Sequence, residues 1–254
     1  MCRPGDKLPS MNVLLHELKP VPSAAQTEAA RVQRHQRQRR QAAMSDSRRA
    51  LVLEAARSVF AEKGVEGASI REIAKRAGYT PGAIYSYFDS KEAIYAALLA
   101  ESLERLNQIV STAKAAGSGA AATLAAKARA WFDFYARNPR DLDLGFYLVQ
   151  GLAPRGLTSE LNQQLNSRLH DALRPCEQAL QAMGLAAESA LRENTALFAH
   201  GVGLLLLQHT GRIRMFGQSP EALFQAYVDH LVVRIAPGEA AAARASGQPD
   251  LFGG

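Results

Sequence analysis

Apolar residues recur at helical spacing along most of this chain. In a segment that begins at residue 47, apolar positions follow the i, i+3, i+4, i+7, i+8 spacing of one buried helix face, at Val52, Ala55, Ala56, Val59 and Phe60. The alternating pattern of a half-buried strand is almost absent from residue 47 onward. The pattern therefore predicts an all-α protein of roughly nine helices.

Helix-ending residues divide this pattern into elements. Gly64 and Gly78 end the first two predicted helices, and Asn138-Pro139 ends a later one. Both ends of the chain lack a sustained apolar period, so we predict that residues 1–46 and 237–254 are disordered. The predicted helices after Gly78 cover residues 81–88, 91–110, 120–137, 140–150, 159–183, 187–216 and 220–235.

The second and third predicted helices are short, and both have strong capping residues. Ser69 and Glu72 are spaced as a capping box, in which each side chain satisfies a backbone N–H of the other residue. Gly78 suits the left-handed position after a helix, and Thr80 followed by Pro81 suits the start of the next one. Two short helices joined by so tight a turn predict a helix-turn-helix.

The third helix combines a face suited to DNA with an apolar face. Tyr85 and Tyr87 offer hydroxyls to phosphates and rings to sugars or thymine methyl groups, and Gly82 permits close approach of the backbone. Ile84 and Phe88, four residues apart, face the opposite way. These features favour a helix that enters the major groove of DNA. The alternative is a plain three-helix domain with exposed tyrosines.

Residues 69–92, SIREIAKRAGYTPGAIYSYFDSKE, resemble the signature of the TetR family. That signature has a capped Ile-Ala-x-x-Ala-Gly, a turn of small residues with Gly, Tyr-x-Tyr/His-Phe and then Lys-Glu. The resemblance implies a three-helix DNA-binding domain at residues 47–106, with its helix-turn-helix at 69–88, and a larger helical ligand-binding and dimerisation domain at 107–236. Tyr79 departs mildly from the pattern, because a smaller residue is commoner there. The predicted DNA-binding residues are Ser69, Tyr79, Thr80, Pro81, Gly82, Ala83, Tyr85, Ser86, Tyr87 and Lys91.

The resemblance also implies a function. Such proteins are homodimeric transcriptional regulators of the bacterial cytoplasm and nucleoid, and they bind double-stranded DNA sequence-specifically. The resemblance favours a repressor that leaves a palindromic operator when a small-molecule effector binds. One alternative is an activator or architectural DNA-binding protein of the same fold without a ligand. Another is a ligand-binding protein that has lost operator binding.

The predicted helix at residues 187–216 is apolar on two faces, and both must be buried. One face can meet the core of its own chain and the other a second copy, joined there by the last helix. The alternative is that both faces are intramolecular. The predicted dimer residues are Gly201, Leu204, Leu205, Gln208, Phe224, Tyr227, Val228 and Leu231.

Aromatic residues on the middle helices are candidates for a ligand pocket, because such pockets are mostly apolar with a few placed polar groups. An apolar lining favours a hydrophobic or aromatic ligand. Each residue taken singly also fits an ordinary core. The predicted ligand-binding residues are Trp131, Phe134, Tyr135, Phe146, Tyr147, Gln150, Phe198 and His200.

Positive charge is concentrated near the beginning of the chain. The formal net charge is +6, and residues 1–43 hold eight Lys and Arg against three acids, so the remaining residues carry only about +1. Residues 31–40 contain five arginines, which indicates an arm that contacts DNA phosphates. The alternative is that translation begins at Met44, which would place this arm outside the natural protein.

Other functional classes have little support in the sequence. The two cysteines form no metal-ligand spacing and fit a reducing cytoplasm, and no apolar stretch is long enough for a membrane span. The six histidines lack the i, i+4 spacing of a helical metal pair, and there is no phosphate loop or nucleophile elbow. We therefore expect no enzyme activity, cofactor, metal or membrane partner.

Overall fold

The computed structural model describes residues 24–146 and 158–235. It divides the chain into two units, residues 1–50 and residues 51–254. In the first unit, residues 24–50 are helical, and they belong to helix α1 (Ala24–Gly67). The prediction that residues 1–46 are disordered is therefore wrong for residues 24–46. That segment is rich in Ala, Gln and Arg, whose high helix propensity permits a helix without an apolar face.

In the second unit, α1 continues to Gly64, whose φ of 69° interrupts the helical backbone as predicted. Two short helices follow, α2 (Ile70–Ala77) and α3 (Pro81–Tyr85). The helix α3 ends earlier than predicted, and a turn leads from it to α4 (Lys91–Thr112). The predicted apolar face of α1 is buried throughout, at Val52, Ala55, Ala56, Val59 and Phe60.

The remaining helices follow the predicted boundaries closely with one exception. The prediction of one helix at residues 187–216 is wrong, because Gly211 adopts a φ of 71° and separates α8 from a short 3₁₀ helix. The last part of the predicted helix at 140–150 lies outside the described residues. The elements are α5 (Ala120–Arg137), α6 (Pro139–Phe146), α7 (Ser159–Ala182), α8 (Ala187–His209), the 3₁₀ helix (Arg212–Phe216) and α9 (Pro220–Ile235).

The larger helices of the second unit pack as a bundle around α7. This helix contacts α4, α5 and α8, while α9 packs on α5 and α8. Since α4 begins next to the helix-turn-helix and ends inside the bundle, it connects the two parts of the unit. Residues 24–146 and 158–235 contain no strand, which agrees with the predicted all-α class. Among these residues no helix is both long and apolar enough to cross a membrane.

Candidate nucleic-acid interface

The caps of α2 are formed as the sequence predicts. Ser69 Oγ accepts the backbone N–H of Glu72 at 3.3 Å, and the Glu72 carboxylate accepts the backbone N–H of Ser69 at 3.2 Å. Gly78 has a left-handed φ of 74°, and the N–H of Tyr79 donates to the Ala74 carbonyl at 2.9 Å. Hydrogen bonds on both sides therefore determine where α2 begins and ends.

The helix α3 begins immediately after this turn. Thr80 Oγ1 accepts the backbone N–H of Ala83 at 3.3 Å, and Pro81 occupies the first turn. Ile84 is fully buried and Phe88 is 6% exposed, so these two residues anchor α3 in the core. The tight turn and the anchored face hold the rest of α3 at the surface, which confirms the predicted helix-turn-helix geometry.

The outer face of α3 carries most of the predicted DNA-binding residues. Tyr85 is 55% exposed, while Ala83 and Tyr87 are half-buried. A Cβ on Gly82 would meet no atom within 4 Å, so the packing of this chain gives no reason for a glycine there. Close approach of a partner molecule would supply that reason. The exposed members of the set are Thr80, Pro81, Gly82, Tyr85 and Ser86.

Lys91 has a positioning role that the sequence does not reveal. Its Nζ donates to the Glu66 carbonyl at 3.0 Å and to the Ala68 carbonyl at 3.2 Å, which ties the start of α4 to the connection between α1 and α2. One ammonium proton remains for a phosphate. Ser90 Oγ caps α4 by accepting the Ala93 N–H at 3.1 Å.

Positive charge is sparse on the exposed face of this motif. Residues 79–90 contain no Lys or Arg. Arg76 forms a two-pronged ion pair with Glu62 at 2.6 and 2.9 Å, which lowers the pKa of the Glu62 carboxyl, and Lys63 pairs with Glu72. The helix α3 and the turn after it therefore offer hydroxyls, rings and backbone groups rather than cations.

Comparison with known proteins agrees with this geometry. Residues 52–98 match the family model described as bacterial regulatory proteins, tetR family. We call this matched segment the tetR-type domain. A similar protein is the transcriptional repressor AcnR of Corynebacterium diphtheriae, which is 41% identical over 64 residues, or 25% of this chain and 34% of that protein. Another is the transcriptional regulator UidR of Escherichia coli K12, at 40% over 57 residues, or 22% of this chain and 29% of that protein. The chain thus spans about a third of the length of these relatives.

Solved structures extend the likeness to the whole fold. A tetR-family regulatory protein from Rhodococcus RHA1 superposes with a TM-score of 0.57 at 21% identity, covering 74% of this chain and 97% of that one. The regulator FadR from Bacillus subtilis, solved in complex with stearoyl-CoA, gives a TM-score of 0.51 at 20% identity over 74% of this chain and 98% of that one. The chain therefore has the fold of these regulators beyond the tetR-type domain itself.

A polar junction joins the tetR-type domain to the helical bundle. Asp141 at the start of α6 is 6% exposed, and it accepts a hydrogen bond from Arg105 of α4 at 2.6 Å. Arg57 of α1 lies 3.9 Å from the same carboxylate oxygen. Beside them, the Tyr95 hydroxyl of α4 donates to the Leu144 carbonyl of α6. Sequence patterns gave no sign of this junction, because its members lie far apart along the chain.

Four of the predicted ligand residues form a closed ring of aromatic contacts. Trp131 contacts Tyr135 at a centroid distance of 5.4 Å and Phe198 at 5.3 Å, while Phe146 contacts Tyr135 at 5.8 Å and Phe198 at 5.9 Å. The indole N–H of Trp131 is buried and finds no acceptor among the described residues. Burial, and then the charge of Asp141, raise the pKa of the Tyr135 hydroxyl. The aromatic ring therefore lies close to the polar junction.

The other predicted ligand residues are placed differently. Phe134 is 5% exposed and contacts Tyr135 from outside the ring, at 5.1 Å. His200 stacks on Tyr227 of α9 at 4.2 Å, so the structure does not bring it into the ring. Burial lowers the pKa of His200 and favours its neutral form. Tyr147 and Gln150 lie outside the described residues.

The predicted dimer residues are mostly core residues of a single chain. A Cβ on Gly201 would lie 2.6 Å from Trp131 Cζ3, so this glycine admits a tryptophan of its own chain rather than a partner helix. Tyr227 and Gln208 are half-buried, and Gln208 donates to Glu221 at 3.3 Å. Six of the predicted residues are buried within the single chain, which leaves little of their surface for a second copy, namely Gly201, Leu204, Leu205, Phe224, Val228 and Leu231.

A different face of α8 is exposed and largely apolar. Leu191 is 46% exposed and Leu206 is 39% exposed, and the residues between them at 4-4-3-4 spacing lie on the same side of the helix. We call this set the outer α8 face, and it consists of Leu191, Thr195, Ala199, Val202 and Leu206. The repeated spacing is the sequence signal that could have identified it. Val233 of α9 is also exposed, at 61%.

Proposed function

We propose that this protein is a sequence-specific DNA-binding transcriptional regulator, a repressor that a small-molecule effector releases from its operator. The observation that carries the proposal is the exposed face of α3, capped at Thr80 and anchored by Ile84 and Phe88. Its exposed hydroxyls, ring and glycine suit base edges and phosphates in a major groove. The repressor AcnR, which shares the tetR-type domain, supports the direction of regulation.

The direct test is a fluorescence-anisotropy titration against the DNA upstream of the gene for this protein, with scrambled DNA as the control. We expect tight, salt-sensitive binding to the upstream DNA, and loss of about tenfold or more in affinity for Tyr85→Ala, since one good base-edge contact contributes about 1–3 kcal/mol. Phe216→Ala removes another exposed aromatic ring, 60% exposed, and should leave binding unchanged. Equal affinity for both DNAs, unaffected by Tyr85→Ala, would contradict operator recognition.

We place the effector site at the aromatic ring of Trp131, Tyr135, Phe146 and Phe198. The ring favours an apolar ligand, and the indole N–H, which has no acceptor among the described residues, would donate to one acceptor on that ligand. Trp131 is the only tryptophan, so quenching of its fluorescence reports binding at this place. Long-chain acyl-CoA is the first class to test, because FadR of similar fold was solved with stearoyl-CoA. A ligand that quenches Trp131 should also release the DNA.

The polar junction gives a route from the effector site to DNA. Asp141 acts electrostatically on Tyr135 of the ring, and it also contacts Arg105 of α4 and approaches Arg57 of α1. A ligand that displaces α6 would therefore shift α4 and the helix-turn-helix with it. A junction variant, Arg105→Gln, should keep ligand quenching of Trp131 but weaken the release of DNA. Full release by that variant would exclude this route.

We further propose a homodimer that uses the outer α8 face. An exposed, largely apolar face of this kind commonly marks an interaction surface, and pairing of two copies around a two-fold axis would suit a palindromic operator. Thr195→Arg should convert the dimer to monomer in analytical ultracentrifugation, because two arginines would meet near the axis. Ser167→Arg, at an exposed position of α7, is the control. An unchanged dimer with Thr195→Arg would rule out this face.

A further inference from the structure

The helical residues 24–50 carry a strong positive charge. They contain seven arginines and only two acids, Glu28 and Asp46, and residues 31–40 contain five arginines without any acid. These ten residues are all exposed. We call residues 31–40 the basic segment.

The basic segment contains no acid that could offset its own five positive charges. Arg31 lies 4.0 Å from Glu28, in a pair whose side chains are 82% and 66% exposed, so solvent screens the attraction strongly. Arginines recur at i, i+3 spacing at residues 31, 34, 37 and 40, where like charges destabilise a helix. A polyanion bound along this helix would remove that repulsion.

The tetR-type domain offers little positive charge next to α3. Residues 79–90 have no cation, Arg76 and Lys63 are paired with acids, and Lys91 donates two ammonium protons to carbonyls. The exposed Arg71 and Lys75 of α2 add two positive charges, compared with five in the basic segment. Neutralisation of phosphates by Lys and Arg supplies most of the sequence-independent affinity of DNA-binding proteins. The described structure therefore presents groups that read DNA in one unit and a concentrated positive charge in the other.

We propose that the basic segment is a second DNA-binding element, which binds phosphates of the same duplex without reading sequence. Ten helical residues span about 15 Å, a length over which duplex DNA carries about nine phosphate charges. The arginines are distributed around the helix, so about three of the five can face one duplex. A lipid surface fits less well, because Val32 is the only large apolar residue of the segment and a membrane-binding helix needs an apolar face. This inference rests on the proposed function for the choice of DNA as partner.

The test measures the salt dependence of binding of the full chain to a duplex of random sequence. The basic-segment variant removes four charges and keeps a similar helix propensity. It combines Arg31→Gln, Arg37→Gln, Arg39→Gln and Arg40→Gln. We expect the negative slope of the log of the association constant against the log of salt concentration to become less steep by about 2–3. We also expect the affinity near physiological salt to decrease about tenfold or more. The control removes four exposed arginines of the bundle instead, with Arg129→Gln, Arg137→Gln, Arg174→Gln and Arg192→Gln, and should keep the slope.

The outcomes separate this inference from the proposed function. Equal slopes for the wild-type protein and the basic-segment variant would overturn the inference. Displacement from DNA by an RNA duplex at much lower concentration than by competing DNA would also overturn it. If binding by the variant depends less steeply on salt but the variant still prefers a selected operator to random DNA, both the inference and the proposed function stand. If the wild-type protein shows no preference between the two DNAs, the operator proposal fails while the slope comparison still decides the role of the basic segment.

Discussion

A substitution at Gly201 tests the finding that this glycine faces the core of its own chain. A Cβ at this position would lie 2.6 Å from Trp131 Cζ3 and 3.0 Å from Phe224 Cε2. Ordinary contact begins at about 3.4 Å, so Gly201→Ala requires the indole to move by about 0.8 Å in a packed core. Overpacking of this kind costs about 1–3 kcal/mol of unfolding free energy.

Gly203, on the same helix, provides a matched control. A Cβ there would meet no atom within 4 Å. Both substitutions gain about 1 kcal/mol of helix propensity, so this gain cancels when the two variants are compared. The difference in stability between Gly201→Ala and Gly203→Ala therefore isolates the clash, and it should be about 1–3 kcal/mol in favour of Gly203→Ala.

The assay is urea unfolding followed by the fluorescence of Trp131, the residue that must move. We expect a lower midpoint for Gly201→Ala and a shifted emission maximum in its native state. Each curve is repeated at several protein concentrations, because an effect on dimerisation changes with concentration whereas a clash inside one chain does not. If Gly201→Ala is as stable as Gly203→Ala, or if its deficit vanishes at high concentration, the assignment of Gly201 to the core is wrong.

Three further predictions concern the junction, the helix cap and the buried thiol. Asp141→Asn should lower the unfolding free energy by about 1–3 kcal/mol, because it removes the buried charge that pairs with Arg105 and Arg57. Arg137→Gln, at an exposed pair, should change the unfolding free energy by less than about 0.5 kcal/mol in the same urea assay. Ser69→Ala should cost about 1 kcal/mol and increase hydrogen exchange in α2, since the helix loses its cap; unchanged exchange there would contradict the capping role. Burial raises the pKa of the Cys176 thiol to about 12, so in a Cys2→Ser background the native protein should resist thiol reagents at pH 9 and react only once urea unfolds it.

Much of the helix-turn-helix could be predicted because its signals are local. The capping box at Ser69, the left-handed Gly78 and the Thr80 cap each involve residues within about four positions of one another. The same holds for the ends of α5 and α9, whose predicted boundaries match the structure. Apolar spacing likewise identified Ile84 of α3 and Phe88, just after α3, as buried residues.

The predicted dimer residues show what local sequence signals could not determine, which is the face of α8 that is buried. The sequence shows that α8 is apolar on two faces, but periodicity treats both faces alike. In the structure Gly201 and Leu205 face the core. Because Gly201 has no side chain, Trp131 and Phe224 can pack directly against the helix there. Leu191 and Leu206 are consequently left at the surface. The prediction of disorder for residues 24–46 was wrong for a related reason. It relied on apolar periodicity, whereas the high helix propensity of Ala, Gln and Arg can favour a helix without an apolar face.

The sequence by itself determined the helical class, the capped helix-turn-helix and the exposed residues of α3, because these depend on neighbours within one or two turns of helix. Only the tertiary structure decided which face of α8 is exposed, which aromatic residues close into a ring, and that Asp141 meets Arg105 of α4 from 36 positions away. Those contacts depend on how helices distant along the chain pack together. Such packing depends on the complementary shapes of side chains from several helices, and it cannot be read from the spacing of residues within one helix.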